Sequence, residues 1–502
     1  MTLRRLVITG ASGFLGRHVL EVVKDHFEVF ALARRSQRES SAPVHPNIHW
    51  YQVDIGDKEP LDAVFQEIID TGGAEVVLHL AAHYDFTGDE HPEYWRTNIE
   101  GLRNVLECVK VLHVRRFVFA SSVAACNFPP AGAALTESSA PDGEHIYAQT
   151  KRIGEAMLAE YEASVPSCII RFGAMFSDWC EYPPQFVFMN TWLSKAWNAR
   201  ILAGKGISAI PYLHVRDAVT FIAKLLQRYQ ILGPGEVLIA SCSGSVTHAQ
   251  LFEAATHAYF GRKRRPFFMP KPLCRVGLYG MDWAGRALGQ RPFERPWMGK
   301  YIDLQLAVQA EHTYERLGWQ PNPRLEILRR MPFLVENLKA DPLEWNRKNR
   351  AAMKEPRLRR NLLVHRLLER HEHEILTALM SSLRGEAAPR WFVGHRRFSP
   401  DDIEWFLRQV LRHLLNAVRA RDKALFMAHC RDLAERRFKQ GFTAQEVCDA
   451  LATIDQACLK AVSADPEAVG LDQTLHDTIT MTVQLGIDEV QEVYEVMGGR
   501  TF

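Results

Sequence analysis

The chain opens on a short apolar run, residues 6–9, that leads into TGASGFLG and then into the amphipathic stretch RHVLEVVKD. No other feature restricts the fold as strongly. Glycines at 10, 13 and 16, placed between a strand and a helix, let backbone approach a pyrophosphate whose charge then sits at the helix N-terminus. A glycine triplet alone carries little, but here the strand before it and the helix after it supply the required context. Similar apolar runs recur at residues 29–33, 48–53, 76–80, 117–121 and 168–172, separated by helix-length segments. Such alternation predicts an α/β fold, a doubly wound parallel sheet covered by helices on both faces.

The second run ends in LARRS, where a fold that binds the free 2′-hydroxyl of a dinucleotide would place an acidic residue. Arg34, with Arg35 behind it, offers a guanidinium to a 2′-phosphate instead, so the sequence leans to NADP over NAD. The competing reading is a solvated basic turn, since Arg38 is close by. The third run closes with VDIGD, which puts Asp54 and Ile55 where an adenine edge and face are met.

With 502 residues the chain exceeds one ordinary core, and at about 100 to 200 residues per domain two to four are expected. Lys and Arg number 61 against 59 Asp and Glu, a balance that gives no global field to recruit nucleic acid. Nine cysteines without a CxxC pair indicate neither a disulfide framework nor a zinc site, and they fit a reducing, cytoplasmic setting. The start MTLRRLVITGASG leaves no room for a signal peptide, and no apolar run approaches the length of a membrane span.

TGASGFLG, the VDI at Asp54, HLAA at residues 79–82, TNIEG around Asn98, FASS ending at Ser122 and YAQTK together resemble the extended short-chain dehydrogenase/reductases. This is the NAD-dependent epimerase/dehydratase group, which includes 3β-hydroxysteroid dehydrogenase and dihydroflavonol reductase types. The resemblance runs from about residue 3 to about residue 339. It implies a catalytic set of Ser122, Tyr147 and Lys151, the tyrosine carrying the proton and the lysine binding the nicotinamide ribose and lowering the phenol pKa. It also implies cofactor contacts from Gly10, Ser12, Gly13, Phe14, Leu15, Gly16, Arg34, Asp54, Ile55, Leu80, Ala81, Ala82, Asn98 and Phe172, besides Tyr147 and Lys151. On spacing alone, Tyr147 and Lys151 are simply neighbours on one helix face.

Two departures bear on substrate. Val123 and Ala124 follow Ser122 where the family's dehydratases carry Asp and Glu, and RFGAMFSDW keeps Arg171 but replaces the family's asparagine by Ala174 and its Gly-Pro by Ser177 and Asp178. Dehydration and nucleotide-sugar binding are therefore disfavoured. The segment expected over the site is aromatic, and Phe176, Trp179, Phe186 and Trp192 are candidates to hold a hydrophobic substrate. Equally, these rings could be the small lobe's own core. Further on, GRKRRPFFMPKP reads as a solvated basic loop, or as a contact for an acyl carrier phosphate or an anionic membrane surface.

Residues 1–340 are thus expected to form the catalytic domain, with a substrate lobe mainly from residues 175–210 and 240–335. A charged linker at 341–360, marked by Pro342 and Pro356, then precedes an all-α domain over 361–502. Ser399 is a proposed helix cap, with Pro400 in the first turn, ahead of an apolar stripe at Ile403, Phe406, Leu407, Val410, Leu411, Leu414, Leu415 and Val418. Thr443 and Glu446 form a second capping signal. Residues 364–493, with LAERRFKQGFTAQEVCDAL, resemble the helical sensor domain of RsbT co-antagonist proteins, which implies a regulatory or assembly module; separately, a homodimer is expected. His365, His371 and His373 read as surface histidines, not a metal site. The functional expectation is an NADP-linked oxidoreductase acting on a small hydrophobic carbonyl or alcohol. The alternatives are an epimerase that uses the cofactor transiently and a redox-sensing regulator.

Overall fold

Val7, Ile8, Val29, Leu78 and Phe117 are fully buried, so the strands that carry them have no solvent face and need cover above and below. The computed structural model describes residues 3–287, 291–353, 360–382, 398–420, 422–465, 468 and 471–499. It divides into two compact units, residues 1–355 and 356–502.

In the first unit, β1 (Arg4–Thr9), β2 (Phe27–Ala33), β3 (Ile48–Gln52), β4 (Val76–His79), β5 (Arg116–Ser122), β6 (Ser167–Phe172) and β7 (Glu236–Ala240) form one sheet. Its order is β7-β6-β5-β4-β1-β2-β3, and every pairing is parallel. The first six strands fall on the expected apolar runs; β7 had no such signal assigned to it. The helices are α1 (Phe14–Val23), α2 (Lys58–Asp70), α3 (Gly101–Leu112), α4 (Ile146–Tyr161), α5 (Pro183–Trp192), α6 (Val215–Arg228), α7 (His248–Phe260), α8 (Lys271–Ala287), α9 (Ile327–Ala340) and α10 (Pro342–Ala352). Side chains of α1 and α6 bury one face of the sheet, and those of α2, α3 and α4 the other. Chain order reverses between β1 and β4, and this opens a crevice at the carboxyl ends of the strands.

The small lobe has its own core, in which Phe186, Met189 and Trp192 of α5 meet Leu251 and Phe252 of α7 and Met331 and Leu334 of α9. Helix α10 belongs to that core and corrects the expected linker. Trp345 is fully buried, and Asn349 donates to the Trp179 carbonyl at 2.8 Å and accepts from the Glu181 backbone at 2.7 Å. One buried indole outweighs the polar composition around it, since truncating a fully buried large aromatic costs about 3 to 5 kcal/mol. The rest of the expected linker, residues 354–359 with Pro356, lies outside the described residues.

The second unit is helical in its described residues: α11 (Arg360–Arg370), α12 (Glu372–Ser382), α13 (Pro400–Ala420), α14 (Ala424–Lys439), α15 (Ala444–Ser463) and α16 (Met481–Gly499). Ser399 caps α13, its hydroxyl accepting from the Asp402 backbone at 3.1 Å, and Thr443 and Glu446 close a capping box on α15. Ile403, Leu407, Val410, Leu411, Leu414, Leu415 and Val418 are buried as one stripe, while Phe406 is half-buried. Among the described residues, no helix is long and apolar enough to cross a membrane.

Candidate active site

The turn after β1 is shaped by what a side chain would hit. Gly10 has φ +72°, and a Cβ there would lie 2.6 Å from the Ala81 nitrogen. At Gly16 a Cβ would lie 2.5 Å from the Gly10 carbonyl oxygen. Both positions therefore need glycine. Helix α1 starts at Phe14 from Gly13 with no side-chain cap and no acidic residue in its first turn. Its leading N–H groups and positive end are left facing the crevice, so the residues present fit a dinucleotide pyrophosphate. Ser12 is buried beside this turn and its carbonyl accepts from the Arg35 guanidinium at 2.5 Å, while Leu15 belongs to the core beneath. Leu80, Ala81 and Ala82, all half-buried, form the opposite wall at the end of β4. There Thr9 hydrogen-bonds the buried His79 at 2.9 Å, and burial drives the His79 pKa down to about 3.

At the far end of the crevice, the half-exposed Arg34 pairs with Glu93 at 2.8 Å and lies 3.9 Å from Asp54. Asp54 is itself held by Arg96 at 2.9 Å and by the Gly56 backbone at 2.9 Å. Ile55 is buried against Gly101.

Two expected cofactor contacts turn out to be internal. The Asn98 amide accepts from the His83 backbone at 2.6 Å and donates to the His83 carbonyl at 2.9 Å and to Thr150 at 3.0 Å. It ties the loop after β4 to α4, a positioning role. The Phe172 ring is buried in the core, edge-on to Phe221 at 6.2 Å.

Ser122 ends β5, and its hydroxyl accepts from the Ala124 backbone at 3.2 Å. Tyr147 and Lys151 lie one turn apart on α4, which His145 caps by accepting from the Ala148 backbone at 3.3 Å. Burial raises the Tyr147 phenol above its ordinary pKa, and the hydrogen bond with Ser122 opposes that rise without cancelling it. The expected lowering by Lys151 is corrected here. The buried ammonium donates to the Ala120 carbonyl at 2.6 Å and sits 5.7 Å from the Tyr147 ring centroid, so desolvation of the phenolate wins. Ser122, Tyr147 and Lys151 thus lie together at the end of β5.

The rings that cover the phenol are different from those expected. Tyr84 stacks on Tyr147 at 4.1 Å, Phe86 lies 4.4 Å from Tyr84, and Tyr182 and Phe293 each lie 5.8 Å from Phe86. Trp297 adds a further edge, 5.9 Å from His145, and its indole N–H donates to the Thr87 carbonyl at 2.9 Å. Of the four residues assigned to substrate, Phe176, Phe186 and Trp192 are buried in the lobe's own core, and Trp179 is half-buried beneath Lys348. Helical and strand periodicity marks a buried ring without saying which cavity it faces. Tyr84 and Phe86 were missed, and the available signal was position: HYDF lies shortly after the carboxyl end of a central strand, where crevices open. Among the described residues, no cluster of His, Cys, Asp or Glu could hold a metal ion.

Comparison with known proteins agrees with this geometry. Residues 6–240 match the model of the NAD dependent epimerase/dehydratase family. This stretch of the chain is similar to that family. The chain is 22% identical over 373 residues to 3beta-hydroxysteroid-dehydrogenase/decarboxylase isoform 1 of Arabidopsis thaliana, a match covering 68% of this chain and 81% of that protein. Among solved structures, the UDP-glucose 4-epimerase of Thermus thermophilus in complex with NAD superposes with a TM-score of 0.51 at 20% identity, covering 67% of this chain and 99% of that one. The dTDP-glucose 4,6-dehydratase of Bacillus anthracis, in complex with NAD, gives 0.52 at 18% identity, covering 69% and 99%. These two likenesses establish the shared fold. NAD(P) is the family's cofactor, and the N-terminal unit is an enzyme domain of this broad kind.

Proposed function

We propose that the protein is an NADP-dependent oxidoreductase that interconverts a carbonyl and an alcohol on a hydrophobic substrate. The observation that carries this reading is the aromatic wall of Tyr84, Phe86 and Phe293 over the Tyr147 phenol, which offers apolar surface and few polar groups to a bound molecule. When bound, the nicotinamide supplies or accepts the hydride. Ser122 holds the reacting oxygen, and Tyr147 carries its proton, given in reduction and taken in oxidation. Lys151, anchored by the Ala120 carbonyl, binds the nicotinamide ribose. Tyr84 and Phe86 exclude water from the phenol. Val123 and Ala124 put no carboxylate beside Ser122, which disfavours elimination. Gly10, Gly13 and Gly16 with the α1 N-terminus hold the pyrophosphate. Arg34 exchanges its carboxylate partners for a 2′-phosphate, and Arg35 keeps the neighbouring turn in place.

Titration with NADPH and NADH tests the cofactor half of the proposal. NADPH should bind more tightly, and Arg34→Ala should reduce the preference by about tenfold, a charge-assisted hydrogen bond less the carboxylate pairs given up. Equal wild-type affinities would return LARRS to a plain basic turn. A panel of aromatic, acyl and steroid ketones, followed by loss of NADPH absorbance, tests the substrate half. An epimerase would convert its substrate with no net change in NADPH, and that outcome would replace the oxidoreductase reading. The C-terminal unit, we propose, regulates or assembles the enzyme, as a dimer.

A further inference from the structure

Helix α8 buries only a narrow strip, at Cys274, Asp282 and Gly285. Its other faces carry Leu273, Val276, Tyr279, Met281 and Trp283, which are 61, 72, 65, 48 and 74% exposed. Just ahead of it, the strand Phe267–Met269 pairs in parallel with Ile201–Ala203, leaving Phe267 and Phe268 exposed. Trp197, in the segment before Ile201, is 85% exposed. Scattered apolar side chains on a surface need no explanation, but two Trp, one Tyr, two Phe and three aliphatics within two short segments do.

The charge on these two segments is almost all of one sign, although Glu253 of α7 pairs with Lys263 and Asp303 accepts from the Lys205 backbone at their edge. Residues 195–206 and 261–287 hold ten Lys and Arg against one acidic residue, Asp282, and that carboxylate is buried and paired with Arg286, Arg291 and Arg295. Arg200 shows how the two chemistries combine, because its guanidinium lies 4.7 Å over the Phe267 ring and its nitrogens donate to the Arg265 carbonyl. A second copy of the chain is a poor occupant, since an isologous contact would bring these cations against themselves. Aromatic and aliphatic side chains rimmed by Lys and Arg match the interface of an anionic bilayer, where rings sit at headgroup depth and cations meet lipid phosphates. The helix spans about 25 Å at 1.5 Å per residue and is apolar only in part, so it suits lying in the interface and not crossing it.

We propose that α8 and the Phe267–Met269 strand form a monotopic surface that binds anionic membranes. The surface is joined to the segment that packs near Tyr147. Lys271 donates to the Ile302 carbonyl at 2.8 Å and Arg275 to the Gly299 carbonyl at 3.4 Å, which fixes α8 to the segment bearing Trp297 beside His145. The inference stands on surface residues and does not need the substrate assignment.

Flotation of the full-length protein with vesicles tests it without any turnover. Vesicles of phosphatidylcholine with phosphatidylglycerol should carry the protein up, phosphatidylcholine alone should carry little, and high salt should release it. Val276→Ser with Trp283→Ser should abolish flotation while leaving the melting temperature and NADP(H) affinity unchanged, because both side chains are exposed. Arg264→Gln with Arg265→Gln should weaken it by about thirtyfold, from roughly 1 kcal/mol per cation near the surface. The proposal is overturned if the protein stays down with anionic vesicles, or if the Val276 and Trp283 pair can be replaced without effect. It is overturned equally if sedimentation shows a dimer that this same pair of substitutions dissolves, which would make the surface an interface between copies.

Discussion

Arg171 in the first unit and Arg437 in the second are buried to nearly the same degree, 3 and 4% exposed, and are satisfied in opposite ways. Arg171 grips Glu155 with two nitrogens, at 3.1 and 2.7 Å, and donates to the Ser139 carbonyl at 2.6 Å; Glu155 also accepts from Ser121 at 2.6 Å. Arg437 has no carboxylate partner among the described residues. It donates to the Gln440 side chain at 2.8 Å and lies 4.3, 4.9 and 5.1 Å from the rings of Phe406, Phe442 and Phe398. Directional bonds fix angles, whereas ring faces accept a cation over a range of positions. The Glu155 network joins β5 to α4, the two elements that bring Ser122 to Tyr147, and so geometry is enforced where chemistry needs it. The helical unit instead holds a partly open cavity of about 690 Å³ lined by Phe406, His413, His429 and Arg437, and its packing leaves room for adjustment.

The largest expected effect falls on the side of the comparison where geometry is fixed. Tyr147→Phe removes one oxygen and little contact area, so turnover should drop by about 100- to 10,000-fold while NADP(H) affinity measured by titration stays near wild type. Near-normal turnover on an identified substrate would remove Tyr147 from the chemistry.

Next comes a direct contrast of the two arginines. Glu155→Gln leaves Arg171 buried without its anion and should destabilise the first unit by about 3 to 5 kcal/mol. Arg437→Met removes a charge that has no ionic partner among the described residues and should leave the second unit unchanged or more stable. Hydrogen exchange read peptide by peptide separates the units in the intact chain. Equal losses would mean that the aromatic cage is as strong as the ion pair.

Chain cuts sharpen the boundary between the units. A fragment ending at 353 keeps Trp345 and Asn349 and should melt cooperatively with NADP(H) affinity retained. One ending at 340 opens the space filled by Trp345 and should lose about 3 to 5 kcal/mol. Matching melting temperatures for the two fragments would show α10 to be dispensable.

The smallest effect at neutral pH is one that opens only on acidification, as a slope. His79 has a folded pKa of about 3, below its unfolded value of 6.5, because burial disfavours the charged ring. Its contribution is full above pH 6.5 and is lost as pH falls from there towards 3, at a slope approaching about 1.4 kcal/mol per pH unit. His79→Gln should flatten the first unit's stability profile in that window, measured by urea unfolding at several pH values. An unchanged slope would assign the acid sensitivity elsewhere.

Several parts of this molecule are legible in its residues alone, and others are not. The turn at Gly10 and Gly16, the first six strands and the caps at Ser399 and Thr443 were legible because each depends on neighbours a few residues away. Ser122, Tyr147 and Lys151 were legible only through their order along the whole N-terminal half. Asn98 was read as a ligand contact because its position was visible and its partners, His83 and Thr150, were not. The rings at 176, 186 and 192 stayed open between substrate and lobe core because an apolar side chain has the same pattern whether it faces a lobe core or a cleft.

The residues alone therefore dictated much of the backbone: which runs must be buried on two sides, where two helices of the second unit begin, and that a glycine turn suited to a dinucleotide follows the first strand. Contacts between distant segments decided the rest. Tyr84 meets Tyr147 from a loop far away in the chain because Asn98 pins the loop after β4 to α4, and Trp345 joins the small lobe from a segment whose composition is that of a linker. Local requirements are written in adjacent residues because sterics and hydrogen bonding act within a turn. Which ring covers the reacting phenol depends on how two loops pack, and packing energy is shared among many side chains, none of which announces its partner.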